Sequence, residues 1–471
     1  MPVDTTTLAA GAELTDLTGQ VTDFVAGLTY GDLPSTVVAS AKLFTLECIG
    51  HMVAGLRQPV GRLVAGYVRD MEAKAEASVL GGGFRTTIAE AAYANGTTAH
   101  ADELEAYGTV AGTGLVPPIA AGLAVAEWRD RSGSDYLVAL VAGVEMQGRL
   151  GLAGPGAPDR GFMGFSLVGP AGAGVTAGRL LDLSPTQLRH TIGVALPLGG
   201  GSLRGCGYMA HVHEAGVPAR TGVWAASLVS KGFTGCPDYL DGAFSWGEQF
   251  AAGGRGYHPE RLTENLGAGF FLDSPGSAPK LYGSCGATHQ SVEGLIRLIE
   301  EHVLAVDDIA AVRLLVPPFA ARVAGFEEPQ TAEQAKFSIV HSVAGILVEG
   351  VPELPYMAAF TDEAATDPRY VAARRRVELV IDGSRPNVRG FDAQSVEVRL
   401  TDGRSFSTTV EGLDVRGRDV NPLSVDERID LFRNTVRPSV DKATAEQVID
   451  LVMDCEQHSI GEIGRALVAH D

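Results

Sequence analysis

The sequence predicts a mainly α-helical fold in which a large all-helical domain, formed by both ends of the chain, carries a smaller α+β lid domain. Three observations lead to this prediction. Apolar residues recur at helical spacing over most of residues 14–231. β-Branched alternation replaces that pattern between about 275 and 415, and helical spacing then returns. We therefore expect residues 1–272 and 416–471 to form the helical domain and residues 273–415 to form the lid.

The first domain opens with two helices. Leu17, Val21 and Leu28 keep helical spacing, and the pattern restarts after Pro34. Glycine and alanine dominate residues 169–178, so a helix there can pack close to its neighbours and lie at the buried centre. The same periodicity predicts further helices at residues 87–99, 116–129, 135–149, 165–181, 185–198 and 216–231.

Four segments of the lid domain alternate as strands do, with Asp382-Gly383 and Asp402-Gly403 as turn signals. The strands are predicted at residues 312–316, 377–381, 396–400 and 405–410. Helical spacing returns at residues 426–432, 444–453 and 460–468. We expect these last helices to pack back on the first domain, so that both chain connections cross one cleft.

Composition limits the partners that the protein can have. The chain of 471 residues has 37 basic and 57 acidic side chains, a formal charge of −20. Such a surface repels phosphate backbones, so we expect no nucleic acid partner. No uninterrupted apolar run reaches the roughly 20 residues of a membrane span, and the first residues lack a signal-peptide pattern. We expect a cytoplasmic protein with no membrane partner.

The five cysteines are odd in number and widely scattered, which argues against a disulfide framework and a cysteine zinc site. Cys285 lies four residues before His289, so it is either a nucleophile beside a base or a small buried apolar residue. The Gly172-x-Gly174-x-x-Ala177 pattern lacks a preceding strand, and Asp182 follows too early for a dinucleotide site.

Lys280 is one of six lysines, and it lies in a loop that precedes an apolar-periodic helix. Arginine supplies most of the positive charge but cannot give up its proton, whereas lysine acts as a base when its surroundings lower its pKa. We therefore expect Lys280 to be a titrating catalytic group.

The sequence alone does not decide the role of two clusters of polar residues. His211 and His213 form a possible metal pair, with further ligands from distant residues such as His100, Asp102 or His341; a structural role is the alternative. The acidic segment of residues 95–105 is either a solvated, capped turn or part of a site.

Five sets of residues along the chain form a recognisable combination of motifs. They are Ala94-Asn95-Gly96 with His100; Gly161-Phe162 with Gly169-Pro170 and Gly172; Gly232-Phe233-Thr234-Gly235; Lys280-Leu281-Tyr282 with Cys285 and His289; and Ala335-Lys336-Phe337-Ser338. Together these motifs resemble the MmgE/PrpD family, which contains 2-methylcitrate dehydratase, cis-aconitate decarboxylase and iminodisuccinate epimerase. The resemblance implies homodimers with an active site between two domains and no obligatory cofactor.

Only Lys280 matches the active site that the resemblance implies. The aspartate and the two histidines expected in the decarboxylase and dehydratase branch are replaced by Glu103, Thr113 and Met163. His211 stands for the expected lysine, and the expected tyrosine is replaced by a histidine, His341. Threonine and methionine do not transfer protons at neutral pH, so these replacements argue against the dehydratase and decarboxylase activities of the family's best-known members.

From these residues we expect a cofactor-independent lyase or isomerase that abstracts a proton next to a carboxylate or carbonyl of a small molecule. Epimerisation or double-bond isomerisation is favoured, because two groups on opposite faces of a carbon suffice for it, and Lys280 and His341 are the expected pair. The substrate should carry fewer carboxylates than a tricarboxylate. We expect Lys280, His341, His211 and Glu103 to be catalytic. Substrate binding is assigned to Thr113, Met163, His100, Tyr282, Cys285 and Arg204, and Arg160 and Arg220 are further candidates for binding an anionic group.

Three alternatives remain open on the sequence. The first is a dehydratase or decarboxylase of a carboxylic acid, with the lysine as base and a histidinium as acid. The second is a metal-dependent enzyme built on His211 and His213. The third is a non-catalytic homologue that binds a ligand. The favoured reaction requires no metal or other cofactor.

Overall fold

A computed structural model describes residues 16–108, 114–251, 256–273, 277–385, 392–418 and 420–468. Buried apolar side chains form two large clusters in these residues. The larger cluster gathers helices from both ends of the chain, and the smaller one lies between Leu281 and Leu400. The protein is mainly α-helical with a small sheet domain, which confirms the predicted fold class. We call the parts built on the two clusters the helical domain and the sheet domain.

Small residues allow the first ten helices to pack closely. A Cβ atom at Gly172 would meet the backbone oxygen of Gly143, and one at Gly222 would meet the backbone nitrogen of Gly174, so neither position has room for a side chain. The predicted buried centre at residues 169–178 is confirmed. The helices are α1 Leu17–Gly27, α2 Ser35–Gly55, α3 Pro59–Asp70, α4 Ile88–His100, α5 Val116–Arg129, α6 Gly133–Ala153, α7 Gly164–Leu180, α8 Pro185–Ala195, α9 Met209–Val212 and α10 Gly216–Val229.

Two short antiparallel ladders accompany the helices. β1 (Ala77–Val79) pairs with β2 (Phe84–Thr86) in the helical domain. β3 (Tyr107–Gly108) pairs with β4 (Ser277–Ala278), which joins the loop after α4 to the start of the sheet domain.

The sheet domain has four strands in the order β6-β5-β7-β8, with β5 and β6 parallel and the other pairs antiparallel. The strands are β5 Ile309–Val316, β6 Val377–Ile381, β7 Gln394–Leu400 and β8 Ser405–Val410. α11 packs against β7 and β8, and α14 packs against α11. The helices are α11 His289–His302, α12 Pro318–Val323, α13 Ala332–Lys336, α14 Ile339–Glu349, α15 Asp362–Thr366 and α16 Pro368–Arg374.

The chain returns to the helical domain through α17 Val425–Val436, α18 Lys442–Met453 and α19 Gly461–Val468. α17 and α18 pack against α2, where Arg428 Nε donates to Glu47 Oε1 at 2.6 Å. The predicted return of the C-terminal helices is therefore confirmed. The boundaries at residues 272 and 416 stay a prediction.

Among the described residues, α2 is the one helix that is long and apolar enough to cross a membrane. Within its most apolar window, 72% is buried inside the protein. The apolar character of α2 is accounted for by the core of the helical domain.

Candidate active site

A cavity of about 190 Å³ lies where the helical domain meets the sheet domain. The helical domain contributes the ends of α4 and α9 and the starts of α5 and α7, and the sheet domain contributes the segment before α11 and helix α12. Apolar side chains form most of the wall, and among them are Met163, Phe165, Phe319, Val323 and Phe337. Ionisable side chains collect on one part of it: His100, Glu103, Glu105, His211 and Lys280.

Two glycines bring the histidine-bearing segments together. A Cβ atom at Gly96 of α4 would lie 2.8 Å from the Cα of Gly216, the first residue of α10. Real side chains do not tolerate that distance, so the two helices approach closely only with glycine there. His100 ends α4 and His211 lies in α9 just before α10, and their ring centroids are 4.7 Å apart. Asn95 ties α4 to β1, since its amide donates to Ser78 O at 2.9 Å.

Glu103 holds the histidines through one carboxylate oxygen. Its Oε1 lies 2.9 Å from His100 Nε2 and 3.1 Å from His211 Nε2, and all three side chains are buried. The backbone of Glu103 is left-handed, with φ of 54°. A non-glycine residue in this conformation costs of the order of 1 kcal/mol, which the surrounding contacts must offset. This turn directs the carboxylate into the cavity.

Lys280 contacts the other oxygen of the same carboxylate. The ladder between β3 and β4 places the lysine beside the loop after α4. Its Nζ donates to Glu103 Oε2 at 2.9 Å and to Glu105 Oε1 at 2.6 Å, and the side chain is buried. Glu105 therefore belongs to the site, although the sequence analysis did not single it out. The available signal was its place in the acidic segment of residues 95–105.

The expectation that Lys280 titrates as a base is wrong in this environment. Burial by itself lowers the pKa of Lys280, but the carboxylates of Glu103 and Glu105 outweigh burial and raise it above its ordinary value. Glu103 and Glu105 therefore hold Lys280 as an ammonium group.

His211 is held as a cation by its neighbours. Burial alone lowers the pKa of His211, but the Cys206 sulfur and the Glu103 and Glu214 carboxylates raise it well above its ordinary value. The pKa of Glu103 shifts in the opposite direction. Burial raises the pKa of Glu103, while Lys280, His100 and His211 more than reverse this and bring it well below its ordinary value.

The structure corrects the proposed pairing of Lys280 with His341. His341 lies in α14, inside the sheet domain, and does not line the cavity. Its Nε2 contacts Ala359 O at 2.7 Å, its Nδ1 contacts Arg374 Nη1 at 2.9 Å, and its ring stacks on Tyr370. Burial lowers the pKa of His341 to about 4, opposed by the Ala359 carbonyl and aided by Arg374. His341 is a neutral core histidine.

Two of the predicted substrate-binding residues also lie elsewhere. Tyr282 is buried in the sheet domain, where its hydroxyl donates to Glu293 Oε2 at 2.9 Å. Arg204 is exposed and does not line the cavity. Arg160 and Arg220, which the sequence offered as anion-binding candidates, are exposed as well.

Other predicted residues do line the cavity. Met163 caps α7 at the wall, and His100 and Cys285 face the same space. Burial raises the pKa of the Cys285 thiol to about 12, and His289 Nε2 contacts Ser284 O at 3.2 Å, so neither group is arranged as a nucleophile and its base. Thr113 lies outside the described residues.

The metal pair expected from His211 and His213 is not supported, because His213 belongs to no group of three or more converging potential ligands among the described residues. A different set of potential ligand atoms converges instead. One ligand atom each from His100, Glu103 and His211 lie within 4.8 Å of one another.

Comparison with known proteins gives the family. The model of the MmgE/PrpD N-terminal domain matches residues 19–257, and that of the MmgE/PrpD C-terminal domain matches residues 282–457. The chain belongs to the MmgE/PrpD family. The resemblance drawn from the sequence motifs is confirmed.

The characterised relatives of this MmgE/PrpD protein share low sequence identity with it. A cis-aconitate decarboxylase-like protein of Aspergillus oryzae is 28% identical over 71% of this chain and 74% of its own length. The cis-aconitate decarboxylase of Homo sapiens is 24% identical over 94% of this chain and 92% of its own length. That of Aspergillus terreus is 24% identical over 94% and 93%, respectively. The protein is an enzyme of the lyase and isomerase class.

Proposed function

We propose that this enzyme is a decarboxylating lyase that acts on a small carboxylic acid with fewer carboxylates than a tricarboxylate. The observation that carries the proposal is the shared carboxylate of Glu103, which holds the imidazole of His211 at one oxygen and the ammonium of Lys280 at the other. Two cationic groups thus face a cavity whose wall is mostly apolar. The decarboxylases among the relatives support the same reaction type.

The protonation states of Lys280, His211 and Glu103 determine which reaction steps these residues can support. Decarboxylation breaks the bond between the carboxylate carbon and its neighbour, CO₂ leaves, and the electron pair passes into an adjacent unsaturated or carbonyl group. The Lys280 ammonium stabilises the negative charge that develops there. His211 Nε2 then gives its proton to the carbon, and Glu103 stays ionised throughout.

The lining of the cavity supports a substrate of low charge. Lys280 is already paired with two carboxylates, and no arginine is among the described residues that line the cavity. A tricarboxylate would bring three charges into a space with few unpaired cations, at a high desolvation cost. Substrates with one or two carboxylates and an apolar remainder fit the wall formed by Met163, Phe165 and Phe337.

Isomerisation is the second candidate, and one feature favours it. His211 and Lys280 approach different oxygens of one carboxylate, so they reach a bound carbon from different directions. Isomerisation needs one group to remove a proton and the other to return it, and the raised pKa values of Lys280 and His211 oppose the removal. The earlier argument for this reaction used His341, which the structure places in the core. Isomerisation therefore ranks below decarboxylation.

A substrate panel in D₂O tests the proposal. Purified protein is given cis-aconitate and a series of unsaturated and β-keto acids with one or two carboxylates, and CO₂ release and proton NMR are followed together. We expect CO₂ from a small member of the series, with one deuteron at the carbon that lost the carboxylate. Deuterium exchange without CO₂ release would select isomerisation. Turnover of cis-aconitate as the best substrate would refute the low-charge assignment.

The oligomeric state, the cellular location and the absence of other partners are also proposed. We propose a homodimer, and exposed apolar side chains on α3 and α10, Leu63, Tyr67 and Trp224, support it. A cytoplasmic location is proposed from the sequence pattern alone, and no nucleic acid or membrane partner is proposed.

A further inference from the structure

Three nitrogen and oxygen atoms converge at the buried end of the cavity. His100 Nε2 lies 2.9 Å and His211 Nε2 lies 3.1 Å from Glu103 Oε1. Donors about 2.0–2.2 Å from one cation, at tetrahedral or octahedral angles, are about 3.0–3.5 Å apart from each other. The two spacings are at or just below the lower end of that range.

The outer nitrogens of both rings point at acceptors. His100 Nδ1 lies 3.2 Å from the carbonyl oxygen of Val212, and His211 Nδ1 lies 3.3 Å from Glu214 Oε2. A carbonyl accepts only, and so does an ionised carboxylate, so Nδ1 carries the hydrogen in each ring. A metal ion that displaces the hydrogen from Nε2 would therefore meet the Nε2 lone pairs of both rings. This is the arrangement by which proteins orient metal-binding histidines.

The ring nitrogen of His100 and the carboxylate oxygen of Glu103 that face each other do not form a hydrogen bond. Among the described residues, neither His100 Nε2 nor Glu103 Oε1 has a hydrogen-bond partner of acceptable geometry, although the two atoms are within contact distance. His100 is 1% exposed and Glu103 is 3% exposed. Buried polar atoms rarely stay unpaired. Two polar atoms that lie close together but are misaligned for a hydrogen bond are expected where both are directed at a third atom that binds to each of them.

The charge of the cluster favours a dication. Glu103, Glu105 and Glu214 contribute three carboxylates, and Lys280 contributes one ammonium. Once a metal ion displaces the His211 proton, these groups leave two negative charges in a buried space. A divalent cation balances this charge, and Lys280 stays on the far oxygen of Glu103, out of the ligand set.

We propose that His100 Nε2, Glu103 Oε1 and His211 Nε2 form a binding site for one divalent first-row transition metal ion, with Zn²⁺ as the probe that suits two imidazoles and a carboxylate. All three residues line the cavity, so the remaining coordination positions face the substrate space. The ion occupies the lone pair of His211 Nε2, which can then no longer deliver a proton. Zn²⁺ therefore inhibits turnover; this effect rests on the proposed function, whereas the site itself does not.

Zinc binding to the full chain tests the site directly. Protein dialysed against EDTA and then against chelator-free buffer is titrated with Zn²⁺ in competition with a chelator of known affinity. We expect one Zn²⁺ per chain. His100→Gln and His211→Gln should each weaken binding by about 100-fold or more. His213→Gln, a neighbouring histidine outside the ligand set, should stay within about threefold of the wild type.

The outcomes separate the site from the proposed function. Absence of one-to-one binding, or equal affinity of the wild type and both ligand variants, would overturn the site whether or not the enzyme turns over a substrate. Zinc binding at these residues without inhibition would leave the site standing and remove His211 as the proton donor. Should a ligand variant fail to fold by circular dichroism, Co²⁺ replaces Zn²⁺ in the wild type. Weak, hexa-aquo-like visible absorption would then overturn the site.

Discussion

Lys280 Nζ lies 2.9 Å from Glu103 Oε2, on the side of the carboxylate away from His100 and His211. One carboxylate thus holds an ammonium and two imidazoles in a buried space where none of them would be stable alone. Because Glu103 keeps Lys280 protonated, the lysine serves as a fixed positive charge. The proton chemistry passes to His211.

Replacing Lys280 should damage both stability and activity. Lys280→Met leaves Glu103 and Glu105 buried without their counter-ion, which costs about 3–5 kcal/mol for a buried pair. We expect a lower melting temperature and a loss of turnover of about 100-fold or more. Adding Glu105→Gln should recover much of the melting temperature without recovering turnover. If the double variant regained turnover as well, the ammonium would have no role in the reaction.

His341 should be dispensable for catalysis. It lies in the core of the sheet domain with both ring nitrogens in contact with Ala359 and Arg374. His341→Gln keeps a polar side chain there, and we expect kcat/KM within about threefold of the wild type with a modest loss of stability. A folded variant with its turnover reduced by about 100-fold would contradict the placement of His341 outside the site.

The close contact of α4 and α10 gives a test of how the site is positioned. Gly96→Ala would place a Cβ atom 2.8 Å from the Cα of Gly216. We expect a loss of stability of about 1–3 kcal/mol and weaker activity, because the two histidine-bearing segments are forced apart. Gly66→Ala in α3 is the matched control. No atom lies within 4 Å of its Cβ position, so the variant should be as stable as the wild type or more stable. Equal melting temperatures for both variants would contradict the account.

Glu145 should give the protein a specific pH dependence. Burial raises its pKa to about 7, although the Phe271 amide and Arg149 oppose the shift. Between the ordinary pKa and this value the folded state binds more protons than the unfolded state, so the free energy of unfolding falls as pH rises. Glu145→Gln cannot ionise and should escape this loss.

The comparison is made between melting curves at pH 5 and pH 8. We expect the melting temperature of Glu145→Gln, relative to the wild type, to rise by a few degrees at the higher pH, for a free-energy change of about 1–3 kcal/mol. Glu260→Gln, an exposed glutamate, should show no such change. A pH-independent difference for Glu145→Gln would show that the carboxyl group is already ionised at pH 5.

Periodicity predicted much of the fold because most elements have one buried face. α4, α5 and α10 lie within two residues of the predicted segments, and the four main strands were all anticipated. α14 was missed because it is apolar on nearly every side and offers no helical alternation. α3 was missed because only part of one face is buried, and it carries charged residues.

The site was predicted only in part. Glu103, His211 and Lys280 were found, yet their relationship was not, because it depends on a left-handed turn at Glu103 and on a two-residue ladder between β3 and β4. Alignment with a family position misplaced His341, since spacing along the chain does not show that the described residues of α14 lie away from the cavity. The direction of the Lys280 pKa shift also needs the distance to Glu105.

The central claim is that His211 delivers the proton that replaces the lost carboxylate. Its most direct test is the reaction of the best substrate in D₂O, followed by NMR for the wild type and for His211→Gln, with His213→Gln as control. We predict one deuteron per CO₂ for the wild type and the control, and a rate reduced about 10²- to 10⁴-fold for His211→Gln. Wild-type rates of CO₂ release and deuteration in a folded His211→Gln variant would contradict the claim.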